Sequence, residues 1–223
     1  MGVAKYCALV SKILYLLAHR RWLMPQKKRA LISVSDKTGV VELVRGLRLL
    51  DFEIVSTGGT ARVLREDDID VIDVSEVTGF PECLGGRLKT LDPHIFGGIL
   101  AKDIPADECT MEKLGLLYFD LVAVNFYPFE RTVDEGGVTR IQAIEQIDIG
   151  GPSMVRAAAK NADRVTVVVD PADYDEVLAQ LQKKGETDWG WRMELMLKAF
   201  ERTAAYDTAI ARYLAGRRQA PKV

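Results

Sequence analysis

The chain has 223 residues, enough for one large domain with a full core, and 48% of them are hydrophobic. Its 30 basic and 32 acidic residues give a formal net charge of −2, which offers no overall attraction for nucleic acid or an anionic membrane surface. Any anion must therefore be bound by a local cluster. Three scattered cysteines and two histidines disfavour a disulfide framework and a zinc site. This composition predicts a reduced, intracellular protein without a metal.

The N-terminal residues differ in charge from the rest of the chain. No acidic residue occurs from Met1 to Ser35, whereas lysine and arginine recur there. The uncharged apolar run Ile13–Ala18 is far shorter than the roughly 20 residues that span a bilayer. An organellar transit peptide would usually contain more serine. We interpret residues 1–24 as a basic N-terminal extension and residues 25–223 as the folded domain.

Short apolar runs alternate with helical patterns from Arg29 onward. The predicted strands are Ala30–Val34, Glu53–Ser56, Asp70–Val74, Phe119–Asn125 and Val165–Val169. Helical patterns follow most of them, and Trp191–Leu214 is predicted to form one long helix or two. The segment Ser75–Lys102 is rich in glycine and proline. Strands that alternate with helices predict an α/β fold, a three-layer, Rossmann-like sandwich around a mainly parallel sheet.

Two loops after predicted strands carry groups that can hold a phosphate. Ser33, Ser35 and Lys37 follow the first strand and precede a helix, although Ser35 or Asp36 can equally serve as a helix cap. The loop Thr57-Gly58-Gly59-Thr60 follows the second strand, where adjacent glycines let the backbone approach an anion or simply form a tight turn. Neither loop is a Walker A motif or a GxGxxG motif, so the usual fingerprint of dinucleotide binding is absent.

A third segment, Gly85-Gly86-Arg87-Leu88-Lys89-Thr90, adds two cations. In an extended strand Arg87 and Lys89 point to one side, toward a phosphate or simply into solvent. Tyr127 follows a buried strand, where its ring can face a ligand or pack on the core as an aromatic lid.

The fourth segment, Gln146 to Asn161, places Asp148 just before two glycines, a suitable position for a carboxylate that meets a ligand. Further along, Arg156 and Lys160 lie one helical turn apart. Such a like-charge pair costs about 0.2–0.5 kcal/mol unless an anion compensates. We interpret this segment as part of the same anion site.

Six motifs together resemble the IMP cyclohydrolase domain, the N-terminal half of a bifunctional enzyme whose other half is AICAR transformylase. They are SVSDKTG (33–39), STGGT (56–60), VSEVTGFPECLGGRLKTL (74–91), GGILAKD (97–103), NFYPFERTV (125–133) and EQIDIGGPSMVRAAAKN (145–161). The resemblance extends from about Arg29 to Leu214. It implies a methylglyoxal-synthase-like α/β sandwich, in agreement with the fold class read from the pattern of strands and helices.

The resemblance implies ring closure of FAICAR (5-formamidoimidazole-4-carboxamide ribonucleotide) to IMP with loss of water, the last step of de novo purine biosynthesis. It implies a cytoplasmic enzyme with no cofactor and with partners limited to FAICAR and IMP, excluding nucleic acid and membrane. A homodimer stays open. Because the chain ends at Val223 without a transformylase domain, we expect a separate AICAR transformylase to supply the substrate.

The resemblance also implies roles for individual residues. Positions matching those that hold the 5′-phosphate and ribose are Ser35, Lys37, Gly59, Thr60, Arg87 and Thr90; Ser33 and Asn125 are further candidates for substrate binding. Positions matching those assigned to the chemistry are Lys89, Tyr127, Asp148 and Lys160. Asp148, hydrogen-bonded to Lys160, is expected to orient the attacking group and relay protons. Lys89, Tyr127 and the backbone amides at Gly150 and Gly151 are expected to stabilise the developing oxyanion.

The chain departs from the family pattern at two positions. Asp92 and Phe96 occupy positions where the family usually has histidine, and we expect Asp92 to place a negative charge near the phosphate. Two other functions share the fold. A methylglyoxal synthase uses a histidine-bearing site, for which only His94 is suitably placed. A non-catalytic regulatory module that binds IMP or a related phosphorylated effector is the main alternative, because a fold does not fix a function.

Overall fold

The computed structural model describes residues 27–127, 129 and 138–216, so the predicted basic extension at residues 1–24 lies outside the described residues. Five strands form one parallel sheet in the order β3-β2-β1-β4-β5. Their bounds are β1 Arg29–Val34, β2 Glu53–Ser56, β3 Ile72–Asp73, β4 Leu121–Asn125 and β5 Thr166–Val168. Four of these strands coincide with a predicted strand or lie within one, and β1 begins one residue before its predicted start. This agreement confirms the predicted α/β class.

Nine α-helices occur within the described residues. In chain order they are α1 Val40–Leu49, α2 Gly58–Glu66, α3 Val74–Thr78, α4 Pro93–Leu100, α5 Pro105–Leu114, α6 Arg140–Glu145, α7 Gly150–Lys160, α8 Tyr174–Lys184 and α9 Trp189–Ala215. Short 3₁₀ helices lie at Leu84–Gly86 and Pro171–Asp173. Among these helices, none is both long and apolar enough to cross a bilayer.

The order of the strands determines where a ligand can bind. The crossover β1–α1–β2 runs one way from the centre of the sheet, and β4–α7–β5 runs the other way. Because such crossovers are right-handed, α1 and α7 lie on opposite faces of the sheet. Strand order therefore reverses between β1 and β4, and the crevice beyond their carboxyl ends is the usual ligand site of such sheets.

The two central strands are apolar along most of their length because both of their faces are covered. Leu31 of β1 pairs in register with Val122 of β4, and both side chains are fully buried. On one face, α7 packs against β4, β5, α4 and α9; on the other, α1 packs against β2 and α8. Continuous apolar runs, rather than alternation, are typical of parallel strands buried in this way.

The segment Ser75–Lys102 contains helices that the sequence analysis did not predict. Asp73 caps α3 in a capping box with Glu76, and the Asp92 side chain accepts a hydrogen bond from the amide of His94 at the start of α4. Pro93 occupies the first turn of α4, where its missing N–H costs nothing. Prolines and glycines here mark helix ends rather than a long loop. The predicted C-terminal segment is one helix, α9.

Arg164 joins the end of α4 to the segment just before β4 through backbone carbonyl groups. Its guanidinium donates to the carbonyl oxygens of Gly98 (2.7 Å), Ala101 (2.8 Å) and Phe119 (2.9 Å). Gly98 is close to its neighbours, since an ideal Cβ there would lie 2.1 Å from the carbonyl oxygen of Leu117. Only glycine allows this approach.

We expect Gly98→Ala to lower the free energy of unfolding by roughly 1–3 kcal/mol or more, because the added methyl group forces α4 away from the backbone of Leu117. Gly190→Ala in α9 is the matched control, since an ideal Cβ there meets nothing within 4 Å. Its stability should stay the same or rise by up to about 1 kcal/mol through helix propensity. Denaturant unfolding followed by circular dichroism measures both, and equal stability of the two variants would contradict the packing argument.

Candidate active site

A cleft of about 640 Å³ opens at the carboxyl edge of the sheet, beside the point where strand order reverses. It is lined by the loops after β1 and β2, by the segment around residues 85–91, by the end of β4 and by the start of α7. All but one of the predicted site residues line it: Ser33, Ser35, Lys37, Gly59, Thr60, Arg87, Lys89, Thr90, Asn125, Tyr127, Asp148, Gly150 and Gly151. The exception is Lys160. The individual roles of these residues remain predictions.

Asn125, the last residue of β4, holds the loop that follows β1. Its side-chain oxygen accepts hydrogen bonds from the amides of Ser35 (2.6 Å) and Asp36 (2.8 Å), and its Nδ2 donates to the carbonyl oxygen of Asp36 (3.1 Å). Both ends of the carboxamide are thus engaged with the loop backbone. Asn125 lines the cleft, and these hydrogen bonds fix the shape of the loop after β1.

Lys37 lies between the first two loops. Its ammonium donates to the carbonyl oxygen of Val34 and lies 3.3 Å from the hydroxyl of Thr60. The Thr60 hydroxyl in turn contacts both the amide and the carbonyl of Val34. Burial lowers the pKa of Lys37, and the neighbouring charge of Asp36 partly opposes this effect. A partly desolvated cation that lines the cleft favours an anion beside it.

The second loop leads directly into α2. Gly58 has a φ of 57°, in the left-handed region that favours glycine, and Thr57 precedes it as the N-cap residue. An ideal Cβ on Gly59 would meet nothing within 4 Å, so open space lies beside this part of the backbone. The positive end of the helix dipole and the first amides of α2 therefore border the cleft, an arrangement that suits a phosphate.

Both basic side chains of the third segment have acidic partners that the sequence analysis missed. The guanidinium of Arg87 makes a bidentate hydrogen bond with the carboxylate of Glu145, and Lys89 Nζ lies 2.9 Å from Oε2 of Glu82. The hydrogen bond from Arg87 lowers the pKa of Glu145. Glu145 stands inside one of the recognised motifs, but nothing in its spacing indicates that it would meet Arg87. A bound phosphate would have to compete with these two carboxylates.

Asp148 lies just before α7 with its carboxylate turned onto the start of that helix. Its Oδ1 accepts a hydrogen bond from the amide of Gly151 at 2.9 Å. Burial raises the pKa of Asp148, and hydrogen bonds from the amides of Gly151 and Gly150 oppose that shift. The two amides predicted to stabilise an oxyanion therefore bind Asp148 in this structure. Their role in stabilising an oxyanion stays a prediction.

Gly150 and Gly151 are required because side chains approach their backbone closely. An ideal Cβ on Gly151 would lie 2.3 Å from the carboxylate of Asp148, and one on Gly150 would lie 2.8 Å from the hydroxyl of Thr90. Larger residues would push both polar groups away from the start of α7. The Gly-Gly pair thus brings Asp148 and Thr90 to the same wall of the cleft.

The predicted hydrogen bond between Asp148 and Lys160 is wrong within this chain. Asp148 precedes the N-terminal end of α7, whereas Lys160 is the last residue of that helix and is exposed. At 1.5 Å per residue, the ends of α7 are about 15 Å apart. The other cation on this helix, Arg156, stacks over the ring of Phe200 at 5.5 Å. The Phe200 ring therefore covers part of the charged face of α7.

Each of the two departures from the family pattern has a structural role. Asp92 caps α4, and its carboxylate also contacts the Nδ1 of His94 at 2.7 Å. It does not line the cleft, although Thr90 and Leu91 just before it do, and its expected charge near the phosphate stays a prediction. Phe96 packs against the hydrophobic core.

Comparisons with known proteins agree with this geometry. A family model described as "MGS-like domain" matches residues 39–153, and one described as "AICARFT/IMPCHase bienzyme" matches residues 158–223. The chain belongs to the MGS-like domain family.

Its relatives are bifunctional proteins of purine biosynthesis. The bifunctional purine biosynthesis protein PurH of Limosilactobacillus reuteri (strain DSM 20016) is 56% identical over 188 residues, and that of Bacillus cytotoxicus is 54% identical over 189 residues. These matches cover 84% of this chain but only 37% of each relative. A solved structure titled "Crystal structure of ForH" is 36% identical, with a TM-score of 0.74, and the match covers 83% of this chain and 98% of that one. The chain is thus homologous to the MGS-like, IMP cyclohydrolase region of PurH.

Raising the pH should destabilise the parent relative to an Asp148→Asn variant. Because the pKa of Asp148 is raised in the folded state, that state keeps a proton that the unfolded chain has already lost. The difference in unfolding free energy, parent minus variant, should fall as pH rises from about 3.8, the ordinary value, and level off above the raised pKa. Denaturant unfolding of both proteins between about pH 3 and 8 measures it. A difference that rises with pH would show a lowered pKa instead.

Asp92→Ala should lower the free energy of unfolding by about 1 kcal/mol, because α4 loses its N-cap. Asp92→Asn keeps an acceptor for the amide of His94 and should recover most of that stability. Thermal and denaturant unfolding compare the three proteins. An Asn variant as unstable as the Ala variant would mean that the cap is not what Asp92 contributes.

Proposed function

We propose that the chain catalyses the dehydrative ring closure of FAICAR to IMP. The observation that carries the proposal is one cleft that joins two phosphate-compatible loops to a partly buried carboxylate, Asp148, at the start of α7. The 56% identity to a purine biosynthesis protein supports the same substrate class. The chain spans 37% of the length of that relative, so the proposed activity is that of this part alone.

The 5′-phosphate of the nucleotide is proposed to bind where the loops after β1 and β2 meet. The first amides of α2, the hydroxyl of Thr60 and the ammonium of Lys37 all border this position. A dianion is favoured there because a helix N-terminus and a partly desolvated cation act on it together. Arg87 can then exchange its carboxylate partner, Glu145, for phosphate or ribose oxygens.

The base is proposed to lie toward α7, where the chemistry takes place. The carboxamide nitrogen attacks the formyl carbon, so that one C–N bond forms and the formyl oxygen gains negative charge. The nitrogen loses a proton, the oxygen is protonated, and the C–O bond breaks as a second N–H proton leaves. The products are IMP and one water molecule, so atoms and charge balance without an oxidant or reductant.

The side chains in the cleft can perform these proton transfers. Asp148 is proposed to orient the attacking amide and accept its proton, a role for which a raised pKa is useful near neutral pH. Lys89 and Tyr127 are proposed to stabilise the developing oxyanion. Holding the two ends of one substrate together supplies a further part of the rate. Lys160 is left out because it does not line the cleft.

The test is a spectrophotometric assay of IMP formation from synthetic FAICAR with the parent and Asp148→Asn. We expect turnover in the parent and a loss of at least about 10²-fold in kcat for the variant, since a positioned general base typically contributes that much. Asp175→Asn, an exposed carboxylate in the first turn of α8, is the matched control and should keep the parental rate.

Binding measurements separate the proposal from the alternative. A parent chain that binds IMP by calorimetry but never turns over FAICAR would be the regulatory module considered above, and the proposed activity would be wrong. A parent that turns over FAICAR equally well with Asp148→Asn would keep the activity but remove Asp148 from the chemistry.

A further inference from the structure

Tyr206 contacts the backbone of Asp148 from a distant part of the chain. This tyrosine lies in α9, is 1% exposed, and its hydroxyl oxygen accepts a hydrogen bond of 2.8 Å from the amide of Asp148. The two residues are 58 positions apart in sequence. No sequence motif links the two residues, and the tyrosine does not itself line the cleft.

The ring of Tyr206 is held by aromatic neighbours that follow β4. Its centroid lies 5.1 Å from that of Phe126 and 6.4 Å from that of Phe129, in tilted and edge-on arrangements. The guanidinium of Arg202, one turn earlier in α9, stacks over Phe126 at 5.6 Å. Such a packed ring has little freedom to move, so the position of its hydroxyl is defined by the core.

Asp148 is therefore fixed at two points. Its carboxylate is held by the amide of Gly151, and its own amide is held by the hydroxyl of Tyr206. Together the two hydrogen bonds set both the place of the backbone and the direction of the side chain. A displacement of about 1 Å at such a group can cost as much as 10²-fold in rate.

We propose that Tyr206 is a positioning residue that holds Asp148 in the orientation needed for ring closure, so that α9 forms part of the catalytic apparatus. This inference rests on the proposed function. Asp148 belongs to the part of the chain that matches the MGS-like domain, whereas Tyr206 belongs to the part that matches the bienzyme family. The second part of the chain thus completes a site whose cleft is lined mainly by the first.

Tyr206→Phe tests the inference because it removes the hydroxyl and keeps the ring. We expect kcat for FAICAR to fall roughly 10-fold while KM changes less than about 3-fold, because the proposed phosphate loops follow β1 and β2 and do not touch Tyr206. Tyr118→Phe is the matched control, since it removes a buried hydroxyl whose ring lies under Arg164, away from the cleft. Its kcat should stay at the parental value.

A double variant and an exchange measurement distinguish positioning from general destabilisation. In an Asp148→Asn background, Tyr206→Phe should have almost no further effect on kcat, because the group it positions is gone. Hydrogen exchange followed by NMR should show faster exchange of the Asp148 amide in Tyr206→Phe and unchanged exchange in Tyr118→Phe.

Either of two results would overturn the inference: an unchanged kcat in Tyr206→Phe, or a full additional loss in the double variant. If the parent turns over FAICAR but the Asp148 amide stays protected from exchange in Tyr206→Phe, the inference is overturned and the proposed function stays intact. A parent without turnover would overturn the proposed function instead, and the exchange comparison would still report whether Tyr206 holds Asp148.

Discussion

The hydrogen bonds of the Asn125 carboxamide join the carboxyl ends of the two central strands. They hold the loop after β1 against the end of β4, at the point where strand order reverses. They extend the pairing of β1 with β4, which ends at Val34 and Asn125, to the backbone of Ser35 and Asp36. The cleft depends on this connection because Lys37, the start of α2 and the segment with Asp148 are arranged around that junction.

Charge in the cleft is organised in opposed pairs. Arg87 faces Glu145, and Lys89 faces Glu82, while the Lys37 ammonium contacts backbone and hydroxyl oxygens. Because the Arg87–Glu145 pair is solvent-exposed, it contributes little to stability, and Glu145 can be exchanged for a phosphate at small cost. Lys37 is partly buried and has no such carboxylate contact among the described hydrogen bonds and ion pairs. This difference favours the loops around Lys37 as the place where a dianion is held most firmly.

The sequence predicted the sheet and most of the cleft because both follow from local patterns. Apolar runs mark the strands, and parallel strands bring the loops around Ser35 and Gly59 to one edge. Contacts between distant segments have no such pattern, so Arg87 with Glu145 and Asp148 with Tyr206 were not predicted. The predicted hydrogen bond between Asp148 and Lys160 failed for a different reason. The pairing came from the motif positions of the family, although an eleven-residue helix already places its two ends about 15 Å apart.

The boundary between the two family matches passes through the structural unit that holds the site. Helix α7 begins inside the MGS-like match and ends inside the bienzyme match, and β5 and α9 both belong to the latter. Since α9 packs along α7 and against β5, it covers the face of the sheet from which Asp148 is presented. The MGS-like match supplies the loops that line the cleft, and the bienzyme match supplies Tyr206, whose hydroxyl accepts the hydrogen bond from the amide of Asp148. The cleft is therefore a product of both parts, and its geometry requires the core that they share.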